Sequence, residues 1–249
     1  MAKRIFYTRN AIEFYKDSKG NEKYVVSMTL KDIESEISYS TGNHKLISNN
    51  KVLFLIWNLP YKITCPYRTP SCTALCYAAK SENLYPDCNP ARNKNWAFSK
   101  TDNFIPYIIQ LVKIKLNNLK KGRKIIFRIH ESGDFYNREY VRKWIFIINY
   151  FAHDSRIKFV AYTKSIVFFK NIDINGMKNF TLRYSLWADT KADQKAIAEN
   201  MEMPTYTALS KEDIARLEKN SFFKCECKDC GTCLACFNKN IKRIICEIH

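Results

Sequence analysis

From residue 51 onward, short apolar runs alternate with stretches of helical periodicity, and this alternation restricts the fold more than any other feature. KVLFLIWNLP (51–60) reads as a buried strand stopped by Pro60. FIPYIIQLVKIKLNNL (104–119) reads as a helix that Lys120, Lys121 and Gly122 bring to an end. KIIFRIH (124–130) is a strand, and NREYVRKWIFIINYFAHD (137–154) carries apolar residues at 141, 144, 145, 148 and 151, the spacing of one helix face. IKFVAYTKS (157–165), NFTLRYSLW (179–187) and TYTAL (205–209) are further strands, with ADQKAIAENM helical before the last. SKEDIARLEKN (210–220) opens with Ser210 and Asp213 at capping-box spacing. Strands alternating with helices predict a mainly parallel sheet, open or curled into a partial (β/α) barrel.

Upstream of this core, residues 4–27 read as two strands around a turn at Ser18-Lys19-Gly20-Asn21, and 37–50 is polar and loop-like. The expected organisation is an N-terminal β extension (1–50), a barrel-like core (51–220) and a cysteine-rich segment (221–249). No apolar run follows the basic N-terminus, and no window of about 18 apolar residues exists, so a cytoplasmic protein with no membrane partner is expected.

In a reducing compartment, clustered cysteines read as metal ligands before disulfides. The ten cysteines form two groups: Cys65, Cys72 and Cys76, with Cys88 beyond them, and Cys225, Cys227, Cys230, Cys233, Cys236 and Cys246. Three thiolates from one loop can hold a [4Fe–4S] cluster with one iron open, whereas Cys88 as a fourth ligand would close an all-cysteine zinc site. Cys227, Cys230 and Cys233 follow the spacing of a ferredoxin-type cluster. Cys225, Cys227 and Cys230 with His249 suit zinc equally well, so the second metal is [4Fe–4S] or zinc.

The remaining candidates sit at strand ends. HESGDF brings Glu131 and Asp134 beside His130 and Gly133, a set suited to acid–base work or to a ligand ammonium; a plain turn with Asp134 capping the next helix is the competing reading. Lys164 and Ser185 end two further strands, and Arg128 and Arg183 lie inside apolar strands, where each needs a partner such as a bound anion or Glu131. Trp144 reads as core. In parallel α/β folds ligands bind beyond the carboxyl ends of strands, so these motifs should share one site. The net charge of +17 makes a nucleic acid or nucleotide a candidate partner.

The run GNHKL, CPYRTPSCTALCYA, FRIHESGDFY, FVAYTKS, LRYS and CKDCGTC resembles the phage family named for gene product 88, over residues 40–249. That resemblance implies a phage protein working in the host cytoplasm. The layout also resembles, more distantly, radical S-adenosylmethionine (SAM) enzymes. This second resemblance implies a fold of radical-SAM type with Cys65, Cys72 and Cys76 as cluster ligands. Ser132, Gly133 and Asp134 would stand at the SAM ammonium, Ser185 at its methionyl or ribose end, and an electron donor would be a partner. The cysteine intervals of six and three depart from the usual three and two of those enzymes, and no second Gly precedes Asp134. ESGDF and the terminal cysteines also resemble the zinc-containing transglycosylases that exchange guanine or 7-deazaguanine bases, with Glu131 or Asp134 and Asp189 as acid/base and nucleophile. The expected function is an iron–sulfur enzyme acting on a nucleic acid or nucleotide. The alternatives are that transglycosylase and a non-catalytic, metal-bound nucleic-acid-binding protein.

Overall fold

The computed structural model describes the backbone of residues 5–7, 12–16 and 22–26, and residues 28–218 and 220–248 with their side chains. β1 (Ile5–Tyr7), β2 (Ile12–Lys16) and β3 (Glu22–Val26) form an antiparallel sheet in that order. The expected pair of strands is therefore a set of three, and the expected turn lies outside the described residues. α1 (Leu30–Glu36) follows, with Thr29 and Asp32 forming a reciprocal capping box. Its Ile33 and the following Ile37 are fully buried. The T-x-x-D spacing was the sequence signal for this helix inside a segment expected to be β and loop.

The main sheet has seven strands, all parallel: β4 (Val52–Trp57), β5 (Lys124–Ile129), β6 (Ile157–Thr163), β7 (Phe180–Leu186), β8 (Thr205–Leu209), β9 (Phe223–Cys225) and β10 (Arg243–Glu247). Their spatial order is β4-β5-β6-β7-β8-β10-β9, so neighbours in sequence are neighbours in space except at the last edge. The sheet curls into a half-barrel. Between β4 and β5 run α2 (Pro70–Ala74), α3 (Tyr77–Leu84), α4 (Cys88–Ser99) and α5 (Phe104–Asn117). α6 (Arg138–Tyr150), α7 (Ala192–Asn200), α8 (Lys211–Ala215) and the short α9 (Cys230–Cys233) complete the chain. α8 is shorter than its pattern because Ile214 is the one buried anchor it offers.

Alternation along the strands decides the two faces. Leu55, Trp57, Phe127, Ile129, Phe159 and Leu182 point toward α1, α5 and α6 and form the main core. The stripe of α6 buries Val141, Trp144 and Ile148, as its spacing predicts. Trp144 meets Phe104 and Phe127 edge-on, at centroid distances of 5.4 and 5.5 Å. Each such ring contributes about 1.5–3 kcal/mol by burial. The opposite face carries Phe54, Ile56, Ile126 and Val160, and among the described residues Leu46 together with Phe237, Cys230 and Cys236 of the C-terminal segment packs there.

Because all seven strands run the same way, their carboxyl ends form one rim. The cysteine loop, residues 130–135, residues 163–165 and residues 185–189 all meet there.

Candidate functional site

The rim is built by side-chain ties between loops. Asn58, directly after β4, accepts from the N–H groups of Glu131 (2.8 Å) and Ser132 (3.0 Å) through Oδ1. Ser132 donates from Oγ to the Leu59 carbonyl at 2.8 Å and accepts from the Leu59 N–H at 3.0 Å. Gly133 has φ +82°, and a Cβ there would sit 2.6 Å from Thr64 Oγ1 and 2.7 Å from Leu59 Cβ. Only glycine accepts both that backbone and that contact. The close approach is therefore made by the root of the cysteine loop, not by a ligand, and Ser132 and Gly133 position that loop.

Asp134 is buried and fully used. Its Oδ1 accepts from Thr163 Oγ1 (2.6 Å) and from the Phe135 N–H (2.7 Å), and its Oδ2 from the Lys164 N–H (2.9 Å). Burial pushes its carboxyl above the ordinary carboxylate range, against the pull of these bonds. It does not cap α6; Asn137 does, accepting from the Tyr140 N–H. Glu131 is half-buried and hydrogen-bonds Asn43 of the GNHKL motif.

His130 is turned into the core. Its Nε2 lies 3.0 Å from the Tyr140 hydroxyl, its ring packs on Phe135, and Nδ1 has no partner among the described residues. Burial first, and Arg128 second, hold its pKa down to about 3, so the ring is neutral. A histidine so placed does not reach the rim.

Cys65, Cys72 and Cys76 are each half-buried and lie within electrostatic range of one another, with Asp134 acting on Cys65 and with Lys164 and Asp134 acting on Cys72. Burial pushes Cys65 up to about 12, with the Asp134 charge adding to it. Thr69 caps α2 by accepting from the Cys72 N–H at 3.2 Å, and Asp189 accepts from the Ser71 N–H at 2.8 Å, so the loop after β7 also holds the cysteine helix. Lys164 is 7% exposed, and its ammonium donates to Ser185 Oγ (2.8 Å) and to the Ser185 carbonyl (3.0 Å). Burial lowers its pKa, opposed by Cys72, Asp134, Asp189 and Cys65. Cys88 opens α4, within electrostatic reach of Tyr77. Among the described residues, no three His, Cys, Asp or Glu side chains stand ready at ligating distance of one metal.

The second cysteine group lies on the sheet face opposite the helices. Register places Cys246 beside Cys225 across β10 and β9. Cys225 lies beside Cys236, which also neighbours Tyr162; Tyr206 neighbours Cys246, and Cys227 neighbours Cys233, each pair close enough to interact electrostatically. The neighbouring Cys225 lowers the Cys236 pKa, burial opposes it, and Tyr162, Arg128 and Arg183 add to the lowering. Arg128 stacks its guanidinium 3.6 Å over the Tyr162 ring and donates to the His130 carbonyl. Arg183 is fully buried and donates to the carbonyls of Cys236 (2.8 Å), Ile241 (2.8 Å), Ala235 (3.3 Å) and Asn238 (2.6 Å). The partner that its buried strand position demands is thus backbone of the C-terminal segment, in place of the expected anion or Glu131. His249 lies outside the described residues.

Asn43 and Asn58 also hold the site together, as single polar loop residues that carry no period, and so does Thr163, the last residue of β6, through its bond to Asp134. Among the described residues, no helix is long and apolar enough to cross a membrane.

The Gene 88 protein of Mycobacterium phage D29 is 27% identical to this chain over 126 residues, 49% of this chain and 51% of that protein. The Gene 88 protein of Mycobacterium phage L5 is 28% identical over 106 residues, 41% of this chain and 43% of that protein. The matched stretch thus spans about half the length of these curated relatives or less. No solved structure matches the chain. The sequence model of the Gene product 88 family matches residues 28–239, from the residue before the α1 cap into the C-terminal stretch that Arg183 binds, and the chain therefore belongs to that family.

Proposed function

We propose that this protein is an iron–sulfur enzyme whose cluster is held by Cys65, Cys72 and Cys76 at the carboxyl rim of the half-barrel, and that it acts on a nucleotide or nucleic acid. The observation that carries the reading is the common environment of these three thiols with Asp134 and a buried Lys164 at the strand ends. The donor set fits: three soft sulfur ligands from one connection suit iron–sulfur chemistry and leave one position without a protein ligand. Bound there, such a cluster would supply one-electron reduction and an open coordination position for a cosubstrate such as SAM.

The chain's own residues have separable tasks in this reading. Ser132 and Gly133 hold the loop that carries the thiols. Lys164, fixed by Ser185, offers a poorly solvated positive charge to a carboxylate or phosphate of the cosubstrate. Asp134 positions Lys164 by gripping its backbone N–H and Thr163. The C-terminal cysteines are a second metal site in the same proposal, [4Fe–4S] or zinc, and an external electron donor is required if the rim site is redox-active.

Anaerobic reconstitution with iron and sulfide, followed by iron, sulfide and zinc analysis, tests the reading. The expected result is iron and sulfide bound by the full chain, with the rim share lost in Cys72→Ser and Cys76→Ser while far-UV circular dichroism is unchanged. Iron uptake that ignores both substitutions, or stoichiometric zinc in its place, overturns it.

A further inference from the structure

The helices that carry the rim cysteines present an outer surface that serves neither the core nor the thiols. Tyr77 is 53% exposed, Tyr85 62% and Leu84 71%. Ile63 and Leu75 are also exposed, so five of the large apolar side chains left in solvent come from one connection, residues 61–85. The surface is continuous. Tyr77, Lys80 and Leu84 follow one another at helical spacing on one side of α3, Tyr85 interacts electrostatically with Tyr77, and the His44 ring lies 6.1 Å from Tyr77. The cysteine loop lies alongside, tied to α3 by the Tyr61 N–H donating to Glu82 and folded on itself by Arg68 donating to the Lys62 and Cys65 carbonyls. Beside it runs a groove of about 560 Å³ with Arg68, Pro66 and Thr73 in its walls.

Charge decides what such a surface takes. Lys62, Arg68 and Lys80 are exposed on the same connection as the rings. The Glu82 carboxylate is neutralised by Arg92 at 2.8 Å and the half-buried Glu131 near Tyr77 is bonded by Asn43, which leaves Asp87 as the exposed acid of the stretch. The whole chain carries 41 Lys and Arg against 24 Asp and Glu. Protein interfaces are depleted of lysine at their centres, whereas lysine and arginine interleaved with exposed aromatic rings suit a phosphodiester backbone with bases stacked on the rings. Bases can stack on a side chain only when they are not stacked in a duplex.

We infer that this face of α3 and the cysteine loop is a docking surface for single-stranded nucleic acid, with Tyr77 and Tyr85 as stacking platforms and Lys62, Arg68 and Lys80 as phosphate contacts. Cys76 immediately precedes Tyr77 at the start of α3, so the docking surface and the cysteine loop share one connection. The inference concerns binding and stands whether or not the rim holds a cluster.

The test is fluorescence anisotropy of the full-length protein with a short labelled oligonucleotide of mixed sequence, single-stranded and as a duplex, across a salt series. Single strands should bind more tightly than the duplex. Tyr77→Ala and Tyr85→Ala should each weaken single-strand binding by roughly 5- to 100-fold, the value of one stacked base. Lys62→Glu with Lys80→Glu should reduce the slope of log affinity against log salt by about 1.4, or about 0.7 per lost phosphate contact. All four side chains are exposed, so melting temperatures should match the parent and exclude unfolding as the cause. Equal affinity for duplex, or binding that both tyrosine variants leave unchanged, overturns the inference and marks the charge as non-specific. A surface that captures a protein partner and no oligonucleotide also overturns it.

Discussion

His130 illustrates how placement overrides chemical type. Beside two carboxylates it reads as an acid–base residue, yet it adopts φ +65° and packs its ring against Phe135 and Tyr140. The unfolded chain takes up a proton on this residue near pH 6.5, whereas the folded protein keeps it neutral down to about pH 3. A depressed histidine pKa means that stability is present above the unfolded pKa and is lost as pH falls through the window, by up to about 5 kcal/mol at about 1.4 kcal/mol per pH unit. Asp134 acts in the opposite sense, since its raised pKa favours the folded state at low pH. His130→Asn keeps a residue that tolerates the left-handed backbone and removes the titration. The stability difference between parent and variant, from urea unfolding at several pH values, should therefore shrink steadily from pH 7 to pH 4. A constant difference would show that His130 is not held neutral.

Among the elements, the C-terminal segment between β9 and β10 is held mainly by Arg183 of β7, with Thr181 of the same strand adding a bond to the Phe237 carbonyl at 3.1 Å. Arg183 donates to four of its carbonyls, and each charged bond of this type is worth about 1.5–3 kcal/mol when its loss leaves a buried group unpaired. α9 adds a contact at its other end, where the Cys230 N–H donates to the Lys45 carbonyl and a Cβ on Gly231 would meet the Ile47 carbonyl at 2.4 Å. Arg183→Met should make residues 226–242 the first site of limited proteolysis, while the helix-backed strands β4 to β6 stay resistant. Arg183→Lys should fail to restore resistance, because an ammonium has three donors and cannot span the same carbonyls. Mass spectrometry of the first cleavage product checks both; a cut elsewhere would assign the anchoring to other contacts.

For the whole molecule, the two faces of the sheet close by different means. Helices cover one face; the chain's own end covers the other, through Phe237 packed on Phe54 at 5.8 Å and through β10 inserted between β8 and β9. A chain ended after Asn220 would lose β9 and β10, leave β8 as a bare parallel edge, and uncover Phe54, Ile56, Ile126 and Val160. Such an exposed apolar face with an open edge favours association. The truncated protein should bind a hydrophobic dye and elute as aggregate in size exclusion, whereas a soluble monomer would show that the half-barrel closes without its terminal segment.

What was legible in the sequence was what local pattern carries. The apolar runs of β4 to β8, the stripe of α6, the cap at Ser210 and the core role of Trp144 follow from period, propensity and capping, whereas α1 and its Thr29 cap were not anticipated. So does the meeting of the cysteine loop with residues 130–135, 163–165 and 185–189, because parallel strands put their carboxyl ends on one edge. α2, α3 and α4 escaped, since their apolar positions form only weak stripes. Partners were decided by tertiary structure alone. That Gly133 makes room for Leu59 and Thr64, that Asp134 grips Thr163, and that Arg183 binds Cys236 and Asn238 depends on separations of 29 to 74 residues. Hydrogen bonds are satisfied by whatever the fold brings within about 3 Å, and no local period in a chain records which distant group that will be.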